Sequence, residues 1–428
     1  MSKQIRTDLC STPPNYRRNA WAFGFNLGFF RLGMTFLGAN TVLPSLVDTL
    51  SHSKFVVGLV SGILSGGRSL PQLLAAGISA RHPRKKPLVL RNMLLTRPIL
   101  LVTALFVWLY GERSPIVALT ATIIGLLISS VGDALASVPW FELLAKVFPP
   151  QRRGRVLGLA QVIGGLLGMG AGVLVRFVLS PQSPWGFPAN YSLLFALGAF
   201  FFLSSTLSLS FVREPETAPP EEAPPSIRQS LASLPRILHE DKPFVLATLV
   251  RIITGFASIA GAFYVLYATE ILGFRPEETG LFLSAQIAGS LSAGLMIGLV
   301  QDRWGPLVHM RILSIIAGFS PILALLSGPL APSLGQGTLA IYLLLFYFLG
   351  LYTGSAGWPF FNWILEYAPE EKRSLYLGIG NTLGAPIMFA PTLGGWIAKS
   401  ISYPAVFITA LGFALLSLFL TIFVPSTR

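Results

Sequence analysis

Apolar runs of about 20 residues or more, the length a helix needs to cross roughly 30 Å of hydrocarbon, recur along this chain and leave little alternative to a bundle of membrane-spanning helices. They fall at Trp21 to Val47, Phe55 to Ser79, Leu88 to Tyr110, Ile116 to Leu144, Val156 to Leu179, Tyr191 to Val212, Phe244 to Ala268, Gly280 to Val300, Leu307 to Leu326, Leu339 to Leu365, Leu375 to Ile397 and Tyr403 to Val424, twelve in all. The runs are continuous rather than alternating, which predicts helices and not the strands of a barrel. With 53% hydrophobic and only 11% charged residues, the chain has too little polar surface to be clothed in water.

One long polar interruption, Arg213 to Pro243, cuts the chain in two. The expected organisation is an N-terminal segment (1–19), a six-helix bundle (20–212), a linker (213–243), a second six-helix bundle (244–424) and a short tail (425–428). The proline-rich, acidic stretch from Pro219 to Pro225 predicts extended, solvated chain. Ile227, Leu231, Leu234 and Leu238 then recur at helical spacing, which predicts a short amphipathic helix on a membrane surface, although Pro235 interrupts it.

A net charge of +13 would suit a nucleic-acid partner, but the positions of the cations exclude one. Of the 31 Lys and Arg, 22 fall in the terminal segments, the linker and the even-numbered loops, and five (Lys54, Arg113, Arg176, Arg275, Lys399) on the opposite side. This asymmetry predicts both termini and the linker in the cytoplasm of a multi-pass plasma or bacterial inner-membrane protein. No cleavable signal peptide is expected, because the first apolar run is too long for a signal core. Cys10 is the single cysteine and the four histidines are scattered, so neither an internal disulfide nor a metal site is expected.

The two bundles are copies. At an offset of 220, Pro139, Phe141, Pro149, Arg153, Leu157 and Gly158 recur as Pro359, Phe361, Pro369, Arg373, Leu377 and Gly378, and Arg31 and Phe36 as Arg251 and Phe256. An even number of spans separates the copies, so the repeats are parallel and their axis runs along the membrane normal. The Pro-aromatic-Phe steps are expected to bend the fourth and tenth spans near their cytoplasmic ends.

In this organisation the chain resembles the major facilitator superfamily, over nearly its whole length. The family's Gly-x-x-x-Asp-Arg-x-Gly signature is matched by Gly298, Asp302, Arg303 and Gly305 in GLVQDRWG. The first-half counterpart, GISARHPRKKP, keeps Gly77 but has Arg81 where the aspartate is expected. The resemblance implies an all-α fold of twelve transmembrane helices in two parallel six-helix bundles, with gating by the two signature loops, and Arg81 cannot take the aspartate's part there.

Ionisable residues inside spans are the first functional candidates, because hydrocarbon tolerates a charge only beside a cavity or a partner. Arg31 and Arg251 would face each other across the repeat axis as a forked anion site, an arrangement similar to the paired arginines of the superfamily's organophosphate exchangers. Asp133, the carboxylate well inside a span, and Glu142 in the same span are candidates for proton coupling; Asp133 has Arg31, Arg68 or Arg97 as alternative ion-pair partners. Asn26, Asn40, Gln161, Gln286 and Asn381, with Tyr264, Tyr352 and Trp358, are candidate substrate contacts.

These features predict a secondary transporter that moves a small solute by alternating access. Proton-coupled export of an amphipathic or drug-like compound is favoured because the spans are rich in aromatics. An exchanger of organic anions or phosphate esters using Arg31 and Arg251 is the alternative, and a non-transporting receptor or lipid-handling protein on the same fold is the reading from another class. No catalytic residue, cofactor or nucleic-acid partner is implied. The expected partners are the solute, a proton and the bilayer, around a monomer.

Overall fold

The computed structural model describes residues 15–66, 75, 78–79, 82–215, 235–369 and 372–427, and no strand occurs among them. The first half consists of α1 (Tyr16–Leu37), α2 (Val42–Ser51), α3 (Lys54–Gly66), α4 (Lys85–Thr96), α5 (Ile99–Tyr110), α6 (Pro115–Val147), α7 (Pro150–Val178) and α8 (Ala189–Ser210). The second consists of α9 (Lys242–Phe256), α10 (Phe263–Glu270), α11 (Thr279–Met296), α12 (Asp302–Leu334), α13 (Thr338–Ser355), α14 (Trp358–Tyr367), α15 (Arg373–Leu383), α16 (Ala390–Ser400) and α17 (Tyr403–Leu420). Each predicted apolar run falls on one helix or on two consecutive ones, the second run continuing from α3 past the described residues. Eight continuous helical stretches among the described residues are long and apolar enough to cross a membrane, and one of them, Arg303–Tyr367, holds two predicted spans.

Several spans are broken, for local reasons. Gly38 takes φ 46 and closes α1 through its N–H to the Met34 carbonyl, a left-handed cap that glycine adopts without strain. The repeat-related stretch of the seventh span, Ala257–Ala260, is a 3₁₀ turn between α9 and α10, so the first helix of each half breaks at the same level. Pro386 lies in another 3₁₀ turn, Ala385–Phe389, between α15 and α16. The expected bends differ between the halves: α6 runs on through Pro139, whereas the tenth span breaks before Pro359, which sits in the first turn of α14 where no N–H is required. In the linker, residues 235–240 are helical and mostly exposed, with Ile237 packed against the core of the second half; Ile227, Leu231 and Leu234 lie outside the described residues.

The hydrophobic core defines the shape. One large cluster takes residues from both halves, among them Leu46, Val57 and Val175 from the first and Ile259, Phe263 and Phe407 from the second. Two smaller clusters are each confined to one half: Phe23, Trp140 and Phe148 in the first, Phe244, Trp363 and Tyr376 in the second. The chain ends lie beside these smaller clusters: Arg18 donates to the Phe211 carbonyl (2.8 Å) and Trp363 to the Pro425 carbonyl (3.1 Å). The halves therefore share a core at the end away from the termini, here the distal end, and have separate cores at the terminal end.

The second half also contains a buried polar clamp. His309 on α12 is fully buried, with Nδ1 3.2 Å from Gln301 Oε1 and Nε2 2.6 Å from the Ser355 hydroxyl. A neutral ring that donates from Nδ1 and accepts from Ser355 ties α12 to α13 and to the π-helical turn Ile297–Gln301. His309→Ala leaves a cavity and strands two polar partners, so a loss of ~2–4 kcal/mol is expected. It should lower the unfolding midpoint of the purified protein in detergent, and an unchanged midpoint would mean that the clamp carries no stability.

Candidate substrate site

Arg31 and Arg251 occupy repeat-related seams. Arg31 lies where α1 crosses α7: a Cβ built on Gly164 would come 3.1 Å from Arg31 Cδ and 3.2 Å from Gly28 Cα. Arg251 lies where α9 crosses α15: a Cβ on Gly384 would come 3.5 Å from its guanidinium carbon, and one on Gly380 3.6 Å from Nη1. Gly164 and Gly384 are themselves 220 residues apart, so each arginine rests against the same glycine of the repeat. At Gly164 a side chain would press on the Arg31 stem and on the α1 backbone, whereas at Gly384 it would make ordinary contact with the Arg251 guanidinium. Both arginines are half-buried, and among the described residues neither meets a carboxylate.

The seams differ in their amides. Arg251 Nη2 donates to Asn381 Oδ1 (3.0 Å). The equivalent Gln161 instead has its Nε2 near Gly294 of α11 in the other half, 3.7 Å from where a Cβ would stand. Arg31 thus keeps all its guanidinium donors uncommitted among the described residues, while Arg251 has one engaged by a neutral group. A recess beside Arg251 is lined by Thr248, Phe360 and Trp363.

Other candidates serve packing within one half. Asn26 donates to the Ser205 carbonyl and hydroxyl (2.9 and 2.8 Å) and accepts from Trp140 Nε1 (3.0 Å), joining α1, α6 and α8. Tyr264 is buried and stacks on Phe407 (5.2 Å between centroids). Tyr352 donates to the Thr254 carbonyl (2.6 Å). Gln286 marks the contact of α11 with α13, where a Cβ on Gly350 would overlap its backbone carbonyl. Trp358 is 48% exposed at the start of α14, edge-on to Phe361. The structure does not bring these residues to the arginines.

The proton-coupling candidates are both paired. Asp133 Oδ1 lies 3.2 Å from Nη2 of Arg97, which is 1% exposed and also donates to the Phe202 carbonyl and the Thr206 hydroxyl (2.8 Å each). Of the partners considered for Asp133 it meets Arg97; Arg68 lies outside the described residues. Glu142 pairs with Lys85 Nζ (2.6 Å) and accepts from Ser79 (2.9 Å) at the terminal end.

Of the expected gating residues, Gly77 and Arg81 lie outside the described residues. Gly298 belongs to the π turn, Asp302 opens α12, and the exposed Arg303 guanidinium lies 5.7 Å from the Trp304 ring centroid. Gly305 takes φ 81, which makes glycine the natural residue for that kink. A contact the sequence reading missed lies at the distal end. Lys54 bridges Asp48 of its own half (2.7 Å) and Glu270 of the other, and Tyr403 donates to Glu270 (2.9 Å). Nearby, Asn40 packs where Gly261 leaves room, 3.1 Å from a built Cβ, so it closes the distal end. Ser284 donates across the halves to the Met169 carbonyl (3.0 Å). The only advance signal was that Lys54, Asp48 and Glu270 all lie at span ends.

The family model described as Major Facilitator Superfamily matches residues 24–386. No curated protein matches the chain. Among solved structures, it is similar to a mutant of the nucleoside transporter NupG, with a TM-score of 0.70 and 14% identity over 95% of this chain and 100% of that one. It is also similar to the xylose transporter XylE from E. coli in a partially occluded inward open conformation (TM-score 0.67, 16% identity, 95% and 99% covered). A third is an auto inhibited POT family peptide transporter (TM-score 0.68, 12% identity, 95% and 96% covered). At these identities the likeness shows the fold.

Proposed function

The chain belongs to the major facilitator superfamily, and from that premise we propose that it carries a small solute bearing a carboxylate or phosphate group, held between Arg31 and Arg251. The observation that carries this reading is the pair of repeat-related arginines, each against the repeat-related glycine, with no acid beside either among the described residues. Two guanidiniums without counterions within the membrane favour a water-filled pathway, and they suit an anion that enters it. Proton-coupled export of an amphipathic compound has weaker support, because Asp133 is committed to Arg97 and Glu142 to Lys85.

The distribution of the core supports alternating access. With both termini in the cytoplasm, as the charge asymmetry favours, the parted end would face inward and the shared core would seal the outside. By helix rise, Arg251 lies roughly 14 Å along α9 from its start, a mid-membrane depth that both sides reach in turn.

The test is ligand-induced thermal stabilisation by phosphate monoesters, dicarboxylates, neutral sugars and lipophilic cations, followed by counterflow in liposomes. The anions are expected to stabilise the protein, and Arg31→Lys with Arg251→Lys to weaken them about tenfold or more, since an ammonium cannot reproduce a bidentate fork. If sugars or lipophilic cations alone stabilise it, or the double variant transports every anion unchanged, the arginines do not bind substrate.

A further inference from the structure

We propose that Glu278 is an acid-sensitive lock of the distal end: its protonated form belongs to the closed state and its carboxylate to the open one, so that acid on the distal side favours closure. The inference rests on alternating access and not on the identity of the solute.

The site is an interface between the halves. Glu278 ends the 3₁₀ turn Pro276–Glu278, just ahead of α11, and that turn packs against α7 of the other half. Immediately beyond it the two helices meet backbone to backbone. A Cβ on Gly280 would come 2.7 Å from Arg176 Cβ, one on Gly172 would come 2.8 Å from the Gly280 carbonyl oxygen, and Ser284 donates to the Met169 carbonyl one turn further on (3.0 Å). In this setting Glu278 Oε2 is buried and meets no hydrogen-bond donor among the described residues. The hydroxyl of the next residue, Thr279, which is 1% exposed, is likewise without a partner there.

Burial without a donor costs a carboxylate far more than it costs the neutral acid. The charged groups that face Glu278 do not reverse this. Arg176 of α7 is exposed and makes no ion pair among the described residues, Arg275 is paired with Glu277 (3.7 Å), and Glu277 adds negative charge beside Glu278. When α7 and α11 part at the distal end, the carboxyl returns to water, where the charged form is favoured. Protonation is thereby linked to closure, and each shifts the other.

The matching interface is built differently. Glu278 lies 220 residues from Gly58, at which α3 meets α16 through glycines, with the ion pairs of Lys54 to Asp48 and Glu270 at its edge. The acids of that interface are held by a cation, whereas the buried oxygen of Glu278 is not.

The experiment is pulsed electron paramagnetic resonance on Cys10→Ser protein in lipid nanodiscs, spin-labelled at Arg113→Cys and Gln336→Cys, exposed positions in distal loops of the two halves, at pH 5 and pH 7.5 without substrate. Acidification is expected to raise the ratio of short to long distances about threefold or more. Glu278→Gln, which keeps the shape of the neutral acid, is expected to show the short distance at both pH values. Arg176→Gln, which removes a facing cation, is expected to move the response to higher pH, and it keeps the test open should the first variant fold poorly. The Lys54 contact is present in all three proteins, so its own titration appears in each and cancels in the comparison. An equal pH response in the wild type and both variants would overturn the lock. So would a short distance that is lost on acidification, whereas failure of anions to stabilise the protein would count against the arginine seams alone.

Discussion

Asp133→Ala is expected to leave almost no folded protein. The substitution takes a carboxylate 3.2 Å away from the Arg97 guanidinium, which is 1% exposed among α4, α6 and α8 and also donates to the Phe202 carbonyl and the Thr206 hydroxyl. Breaking a buried pair by removing one partner costs about 3–5 kcal/mol, a large share of the stability of most domains. Arg97 also lies over the adjoining rings of Phe30 and Phe202 (5.6 and 5.5 Å from their centroids), so its charge is held in an aromatic setting that suits a cation paired with an anion. Replacing both partners with apolar residues, Arg97→Met with Asp133→Leu, removes charge and counter-charge together and is expected to restore a monodisperse protein. Size-exclusion profiles and unfolding midpoints of the three proteins decide the matter. If Asp133→Ala is as stable as the wild type, the pair does not hold this half together and Asp133 returns as a candidate proton carrier.

The same pair shows how far the sequence could be read. Twelve apolar runs, the polar linker and the 220-residue offset were all visible, because in a membrane the backbone requirement for helices overrides everything else and leaves long apolar stretches. Which face of each helix meets a neighbour was not visible, since lipid and protein interior are equally apolar and the period of 3.6 residues carries little contrast. Hence Asp133 had three possible arginine partners in sequence and Arg97 in the structure. Tyr264 and Tyr352 looked like pathway aromatics, yet one stacks on Phe407 and the other donates to the Thr254 carbonyl. The arginine seams were half legible: Arg31 and Arg251 stood out by charge and by the repeat, but Gly164 and Gly384 acquire meaning only when the helices cross. The distal contact of Lys54 with Glu270 joins residues 216 apart that no local pattern relates.

Gly58→Val is expected to abolish transport while leaving the protein folded. Gly58 on α3 faces α16 of the other half so closely that a Cβ would overlap the Pro391 carbonyl oxygen, and a Cβ on Gly62 would come 2.6 Å from the Met388 oxygen. Gly395 makes the reciprocal approach from α16, against the Lys54 carbonyl. These glycines hold apart no cavity; they let two backbones touch at the sealed end, so a branched side chain opposes that one state and not the helices themselves. A clash of ~3 kcal/mol confined to the distal-closed state would shift the balance of states more than a hundredfold, and a carrier that cannot close one end cannot complete a cycle. Cys10 is the single cysteine, so Cys10→Ser with Asn40→Cys places one reporter at the distal end. In the Gly58→Val background the reporter should react with an impermeant maleimide much faster than in the parent, with the unfolding midpoint little changed. Equal labelling together with normal transport would mean that α3 and α16 do not form the distal closure, and that the shared core there has a different role.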